Sequence, residues 1–258
     1  VSTAICFVAR TGIVMGTDSR VTTKGPEGTT REDAYPKLVA FGHAPVALAM
    51  VGAGAYGGRD FRSLVGEAYR SVAARALDMT VEQIAQTFAQ SAGVIAREAR
   101  EAGEMSVMVA GYSPHQHFGE LWEVSLPAGR VDCLAAPGSQ TFAWRGRADA
   151  IKTLWWGANL DVMHRVLEQH GLSHEQAHAV MNDVKKQSAW GPERIAWGMP
   201  LGSAVDLVRF QLETQIQSER FLPGRAACGF PIQLLAVNDA GLHWVERPFE
   251  AFSQVGRT

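Results

Sequence analysis

Two apolar runs, residues 3–9 and residues 13–17, stand on either side of Arg10-Thr11-Gly12 and show almost no alternation between apolar and polar positions. A strand with one wet face alternates, so a run that is apolar at every position belongs to a strand covered on both faces. The pair reads as a hairpin turning at Gly12, buried inside a layered structure. A chain of 258 residues that is 47% hydrophobic has the material for such layers. No repeat or linker divides it, so it reads as one domain over 1–258 with a helical insertion around 158–198.

The remaining pattern places elements around that hairpin. Residues 21–36, with Gly25, Pro26 and Gly28, read as a loop, and residues 37–41 with 46–51 as a second strand pair. Phe61, Leu64, Val65, Ala68, Tyr69 and Val72 recur at helical spacing, and Thr80 with Gln83 forms a capping box for a second helix reaching about Ala102. Strands are expected over 105–112, 118–126 and 131–136. Helices are expected from about 148 to 218, broken at Gly171, Gly191-Pro192 and Met199-Pro200. A last hairpin, 230–237 with 242–245, turns at Asn238-Asp239-Ala240-Gly241.

Composition excludes several classes of partner. A formal charge of -2 gives no electrostatic footprint for nucleic acid or for an anionic membrane. No apolar run reaches the ~18 residues of a membrane span. Cys6, Cys133 and Cys228 are odd in number, far apart and set among apolar residues, which reads as buried thiols in a reducing, cytoplasmic compartment. The expected partner is peptide-like or another subunit.

Ser2-Thr3-Ala4, Gly12 through Thr22, Lys37-Leu38, Met50-Val51-Gly52, Val109 to Tyr112, Leu121 to Val124 and Gly138-Ser139 come in an order that resembles a proteasome-type subunit of the N-terminal nucleophile hydrolases. The resemblance covers most of residues 2–145 and the last hairpin. It implies an α+β fold, a four-layer αββα sandwich, with an enlarged helical region between about 148 and 218. It implies cleavage of peptide or amide bonds through an acyl-enzyme, with no cofactor and no metal, in a homo-oligomeric ring. The register places Ser2 at the nucleophile and Asp18 at its acidic partner, with Thr3 one place too late. Lys37 corresponds to the cation held by Asp18, after a spacing three residues longer than usual, and Ser139 to the serine beside the α-amine. Gly52 corresponds to the oxyanion glycine, Thr22 and Gly54 to groups that align an extended substrate, and Met50 to the wall of its pocket. The late acid of the pattern has no clear counterpart, Glu219 being the nearest. In this chemistry the free α-amine of the first residue serves as base, so Val1 has to leave before Ser2 can act; with Val1 retained, the same fold is a silent structural subunit.

Two other motifs compete. Gly52-Ala53-Gly54-Ala55-Tyr56-Gly57 spells GxGxxG, but a second helix rather than a strand ending in an acid follows it. His174-Glu175-Gln176-Ala177-His178 spells HExxH, the pattern of a zinc hydrolase, with Glu193 as a third ligand that nothing in the spacing selects. Ser173 with Gln176 makes a capping box there, which puts the motif in a solvated first turn. His115-Gln116-His117 reads as a polar hairpin turn. Trp155, Trp156, Trp190 and Trp197 stand in the long helical region as cover for the sheets or as contacts to neighbouring subunits.

Overall fold

The computed structural model describes residues 2–25, 28–98, 103–187, 195, 197–222 and 226–247. It divides into two compact units, one made of residues 1–147 with 198–258 and the other of residues 148–197.

In the first unit β1 (Thr3–Ala9) and β2 (Gly12–Thr17) form the central hairpin, and every residue of both is buried. The ribbon β3 (Val21–Gly25) with β4 (Gly28–Glu32) follows where a loop was expected. Next come β5 (Leu38–Ala40), β6 (Val46–Gly52) and the short ribbon β7 (Ala55–Tyr56) with β8 (Arg59–Asp60). Helices α1 (Phe61–Val72) and α2 (Val81–Glu98) come before β9 (Met105–Gly111), β10 (Glu120–Leu126), β11 (Arg130–Ala135) and β12 (Thr141–Gly146). In the second unit lie α3 (Asp149–Trp156), α4 (Leu160–Gln169) and α5 (His174–Gln187). The chain then returns to the first unit through α6 (Leu201–Glu219), β13 (Gln233–Asn238) and β14 (Gly241–Glu246).

Two five-stranded antiparallel sheets result, in the orders β12-β1-β2-β13-β14 and β11-β10-β9-β6-β5. Their facing sides share one core in which Ala4, Cys6 and Met15 meet Ala47, Ala49 and Met108. The period of two then sends Leu48 and Met50 to the opposite side of β6, against Phe61, Leu64 and Phe88 of α1 and α2. Phe61 and Phe88 meet edge to face at 6.2 Å. On the other sheet α6 lies so close to β2 that a Cβ at Gly16 would stand 2.7 Å from Leu212 and 2.9 Å from Val208. Thr80 and Gln83 bond reciprocally through backbone N–H and side chain, as a capping box does.

The four-layer αββα expectation is corrected here: the fold is mixed α+β, antiparallel sheets plus six helices among the described residues. The region from 148 to 218 does not act as one covering layer. Only α6 of that region belongs to the sheet-bearing unit. Helices α3 to α5 bury few residues, among them Ile151, Leu160, Ala177 and Met181. Stripes that narrow are satisfied by packing helix on helix. The thiols are corrected too, since Cys6 and Cys228 are buried but Cys133 is exposed on β11. Trp190, Glu193, Gly191-Pro192 and Val1 lie outside the described residues. Among those described, no helix is long and apolar enough to cross a membrane.

Candidate active site

Ser2 immediately precedes β1 and is 3% exposed, and its neighbours come from distant parts of the chain. Lys37, just before β5, has no exposed surface and donates from Nζ to Ser2 Oγ at 2.8 Å and to Asp18 Oδ1 at 2.8 Å. Its third acceptor is the carbonyl of Arg20. Burial lowers the Lys37 pKa from the ordinary lysine value, and the Asp18 carboxylate opposes that shift.

Asp18 directly follows β2, and both of its carboxylate oxygens accept hydrogen bonds. Its Oδ1 takes the Thr3 N–H at 2.9 Å besides Lys37, and its Oδ2 takes the N–H groups of Arg20 at 3.0 Å and Gly229 at 3.1 Å. Charge-assisted bonds of this kind repay much of the cost of taking both ions out of water. Gln233 fixes the lysine from behind, since its Oε1 accepts the N–H groups of Lys37 and Leu38 and its Nε2 donates to Ser19 Oγ and Tyr35 O.

The end of β12 closes the site. Thr3 pairs with Gly146, the N–H of Arg147 donates to the Ser2 carbonyl at 2.8 Å, and the Thr3 hydroxyl donates to the Arg147 carbonyl at 2.5 Å. Gly146 has φ +76°, and a Cβ there would run into the Ser2 carbonyl, so only glycine fits both demands. Ser2, Val51, Gly52, Glu104, Ser106 and Gly146 help line a cleft of about 500 Å³.

Glu219 and Arg20 together hold residues 226–229 in place. Glu219, buried at the end of α6, accepts the N–H groups of Ala227 at 2.6 Å and Cys228 at 3.0 Å and the Gln215 amide at 3.0 Å. Burial alone would raise its pKa, but these donors, the Cys228 N–H first, outweigh burial and hold it below the usual carboxylate range. Cys228 Sγ lies 3.0 Å from Thr3 Oγ1, and burial together with the Asp18 charge pushes the thiol pKa up. Arg20 reaches the Cys228 carbonyl at 3.3 Å while its guanidinium pairs with Asp33.

The structure thus brings Ser2, Asp18 and Lys37 together and puts Gly52, with φ +107°, on the same cleft. It does not bring Ser139 there. That serine is exposed in the turn before β12, at the end of the strand where Val8 pairs with Thr141 rather than Thr3 with Gly146. Met50 is buried in the core beneath α1 and α2 and does not line the cleft. Thr22 is exposed on β3, and Gly54 abuts its neighbour Val21, whose Cγ1 would lie 2.6 Å from a Cβ at residue 54. His174 and His178 do not converge: His174 Nδ1 is 2.9 Å from Glu168 Oε1, and His178 Nδ1 is 3.2 Å from the Asn182 amide. Sequence reading missed Gly146, Arg147, Gln233 and Cys228 as parts of the site. Glu219 carried one signal, an acid at a helix C-terminus, where the dipole disfavours it unless donors are waiting.

No protein-family profile and no curated protein sequence matches the chain. Solved structures do. The chain is similar to Anbu (ancestral beta-subunit) from Yersinia bercovieri, with a TM-score of 0.55 and 10% identity over 96% of this chain and 89% of that one. It is similar to the Anbu (Gly-1) mutant from Hyphomicrobium sp. strain MC1, with a TM-score of 0.59 and 15% identity over 95% of this chain and 86% of that one. A further Anbu structure from the same organism gives a TM-score of 0.54 and 15% identity over 95% and 87%. The expected likeness to a proteasome-type subunit is corrected accordingly: these neighbours are ancestral beta-subunit proteins, a proteasome-like but distinct family, and at such identities what the chain shares with them is the fold.

Proposed function

We propose that the chain hydrolyses peptide or other amide bonds with the Ser2 hydroxyl as nucleophile, once the residue preceding Ser2 has been removed. The observation that carries this reading is the buried chain Ser2 Oγ, Lys37 Nζ, Asp18 Oδ1, with both links at 2.8 Å, ending on an open cleft. The freed α-amine of Ser2, with an ordinary pKa of ~7.7–8.0, takes the hydroxyl proton as Oγ bonds to the substrate carbonyl carbon. Lys37, held by Asp18, favours the developing charge on Oγ. The carbonyl oxygen becomes an oxyanion next to the backbone of Gly52, where a side chain would obstruct it. Collapse breaks the C–N bond, the leaving amine takes the proton back from the α-ammonium, and water then hydrolyses the ester. Thr3 is a poorer nucleophile because its hydroxyl is committed to the Arg147 carbonyl. Neither Thr22 nor Met50 is required in this reading.

The enzyme is proposed to work as a homo-oligomer, in line with exposed Phe210, Phe221 and Leu222. Intact mass and N-terminal analysis, run beside amide hydrolysis by wild type and Ser2→Ala, test the reading. The expected result is a chain beginning at Ser2 whose activity falls at least about a hundredfold in Ser2→Ala. Retention of Val1 on every molecule, with no hydrolysis, overturns it and leaves the silent structural subunit.

A further inference from the structure

We infer that the α4–α5 hairpin carries a zinc-type metal site formed by His164, Glu168 and His174, a ligand set other than the HExxH triplet. His164 and Glu168 lie one turn apart on α4, so their side chains share a face, and His174 opens α5 across the connecting turn. One donor atom from each falls within 4.8 Å of the others. Glu168 already bridges the two rings, with Oε1 at 2.9 Å from His174 Nδ1 and Oε2 at 3.5 Å from His164 Nδ1. The imidazoles themselves are 4.8 Å apart at an interplanar angle of 68°.

Two imidazole nitrogens and one carboxylate oxygen are the donor set of an open zinc site, with a fourth position left for water, and they suit calcium or magnesium poorly. Ligands on a tetrahedral zinc at ~2.0–2.1 Å stand roughly 3.3 Å from one another. The three side chains therefore need to close by only about 1.5 Å, a distance that rotamer changes at the exposed Glu168 and His174 can cover towards the half-buried His164. The backbone between them is fixed. Gly171 turns at φ +93°, and Ser173 and Gln176 cap α5 reciprocally at 3.2 and 2.9 Å. The same capping places His174 at the very start of α5, aimed at α4. His178, one turn on, engages Asn182 and shares a groove with His164, Asp161 and Met181, but its ring nitrogens do not fall within the cluster of His164, Glu168 and His174 donor atoms. The ion would therefore clip α4 to α5 and stiffen the 148–197 unit. Nothing in this inference depends on the chemistry at Ser2.

The test is calorimetric titration of the chelator-stripped full chain with zinc sulfate, with cobalt absorption as a second readout of coordination geometry. The expected result is one zinc per chain, a tetrahedral cobalt spectrum and a raised melting temperature. His164→Ala and His174→Ala should each weaken binding by at least about tenfold and remove the thermal shift, while His178→Ala leaves both unchanged. Absence of saturable binding below about 100 µM overturns the site. So does binding that survives the double variant His164→Ala/His174→Ala, or binding that is lost in His178→Ala.

Discussion

Lys37 is a cation with no exposed surface, and an unpaired ion there would cost several kcal/mol. Three acceptors offset this, and each is itself positioned by another bond, so the lysine reports on a network. Glu219 is a buried acid at the edge of that network, where it holds the N–H groups of Ala227 and Cys228. Its folded pKa is lowered from that of an unfolded chain, so the carboxylate contributes stability above the unfolded value and loses it as pH falls through the folded one. Glu219→Gln should lower the unfolding free energy by about 1.5–3 kcal/mol at pH 7, and the gap from wild type should narrow as pH falls through the folded pKa of Glu219. Urea midpoints across that pH range check this; a gap that persists unchanged on acidification contradicts it. At this scale the sequence was informative where the spacing was local. Gly12 to Asp18 spans one hairpin arm, so the resemblance could be laid over Ser2 and Asp18 without a gap, and Lys37 comes just before the next core strand. Gln233 and Cys228 could not be read, because they arrive from about two hundred residues away and look like any buried polar residue and thiol.

Among the elements, β12 matters most to the site and was the hardest to see. Thr-Phe-Ala-Trp-Arg-Gly neither alternates cleanly nor runs apolar, and only its pairing with β1 makes it a strand. A Gly-Ser pair at 138–139 and a lone glycine at 146 both punctuate that stretch, and sequence cannot say which end faces Ser2. Long-range register decides in favour of residue 146. Gly146→Ala tests the consequence against Gly129→Ala, since both glycines have positive φ but only Gly146 is crowded. Both should lose about 1 kcal/mol or more to backbone strain, with Gly146→Ala clearly the worse and the only one to reduce amide hydrolysis. Equal thermal shifts in the two variants would show that contact with the Ser2 carbonyl contributes nothing. The 21–36 stretch was misread for a related reason: its turn residues were visible, but the strands β3 and β4 on either side are polar enough to pass for loop.

For the molecule as a whole, the hydrophobic runs told which strands are covered but not what covers them. The breaks at Gly171, Gly191-Pro192 and Met199-Pro200 were legible in the long helical stretch, but not which of its helices joins the sheets; Pro200 leads into α6, which packs on β1 and β2. Cysteine chemistry gives a whole-chain check on this burial. Cys133 should react with a thiol reagent in the native protein, while Cys6 and Cys228, buried and with thiols that resist ionisation, should react only on unfolding. Rapid labelling of all three in the native state would refute the packing around β1. The bond between Asp18 and Gly229 and the contact between Thr3 and Cys228 each join residues more than two hundred positions apart. An emerging nascent chain therefore holds Ser2 without the surroundings that arm it. On our reading of Ser2, the onset of hydrolysis waits until Cys228, Gly229 and Gln233 have left the ribosome. On that reading the delay is a form of safety, because a hydrolase completed only by residues 228–233 does not attack its neighbours while they are being made.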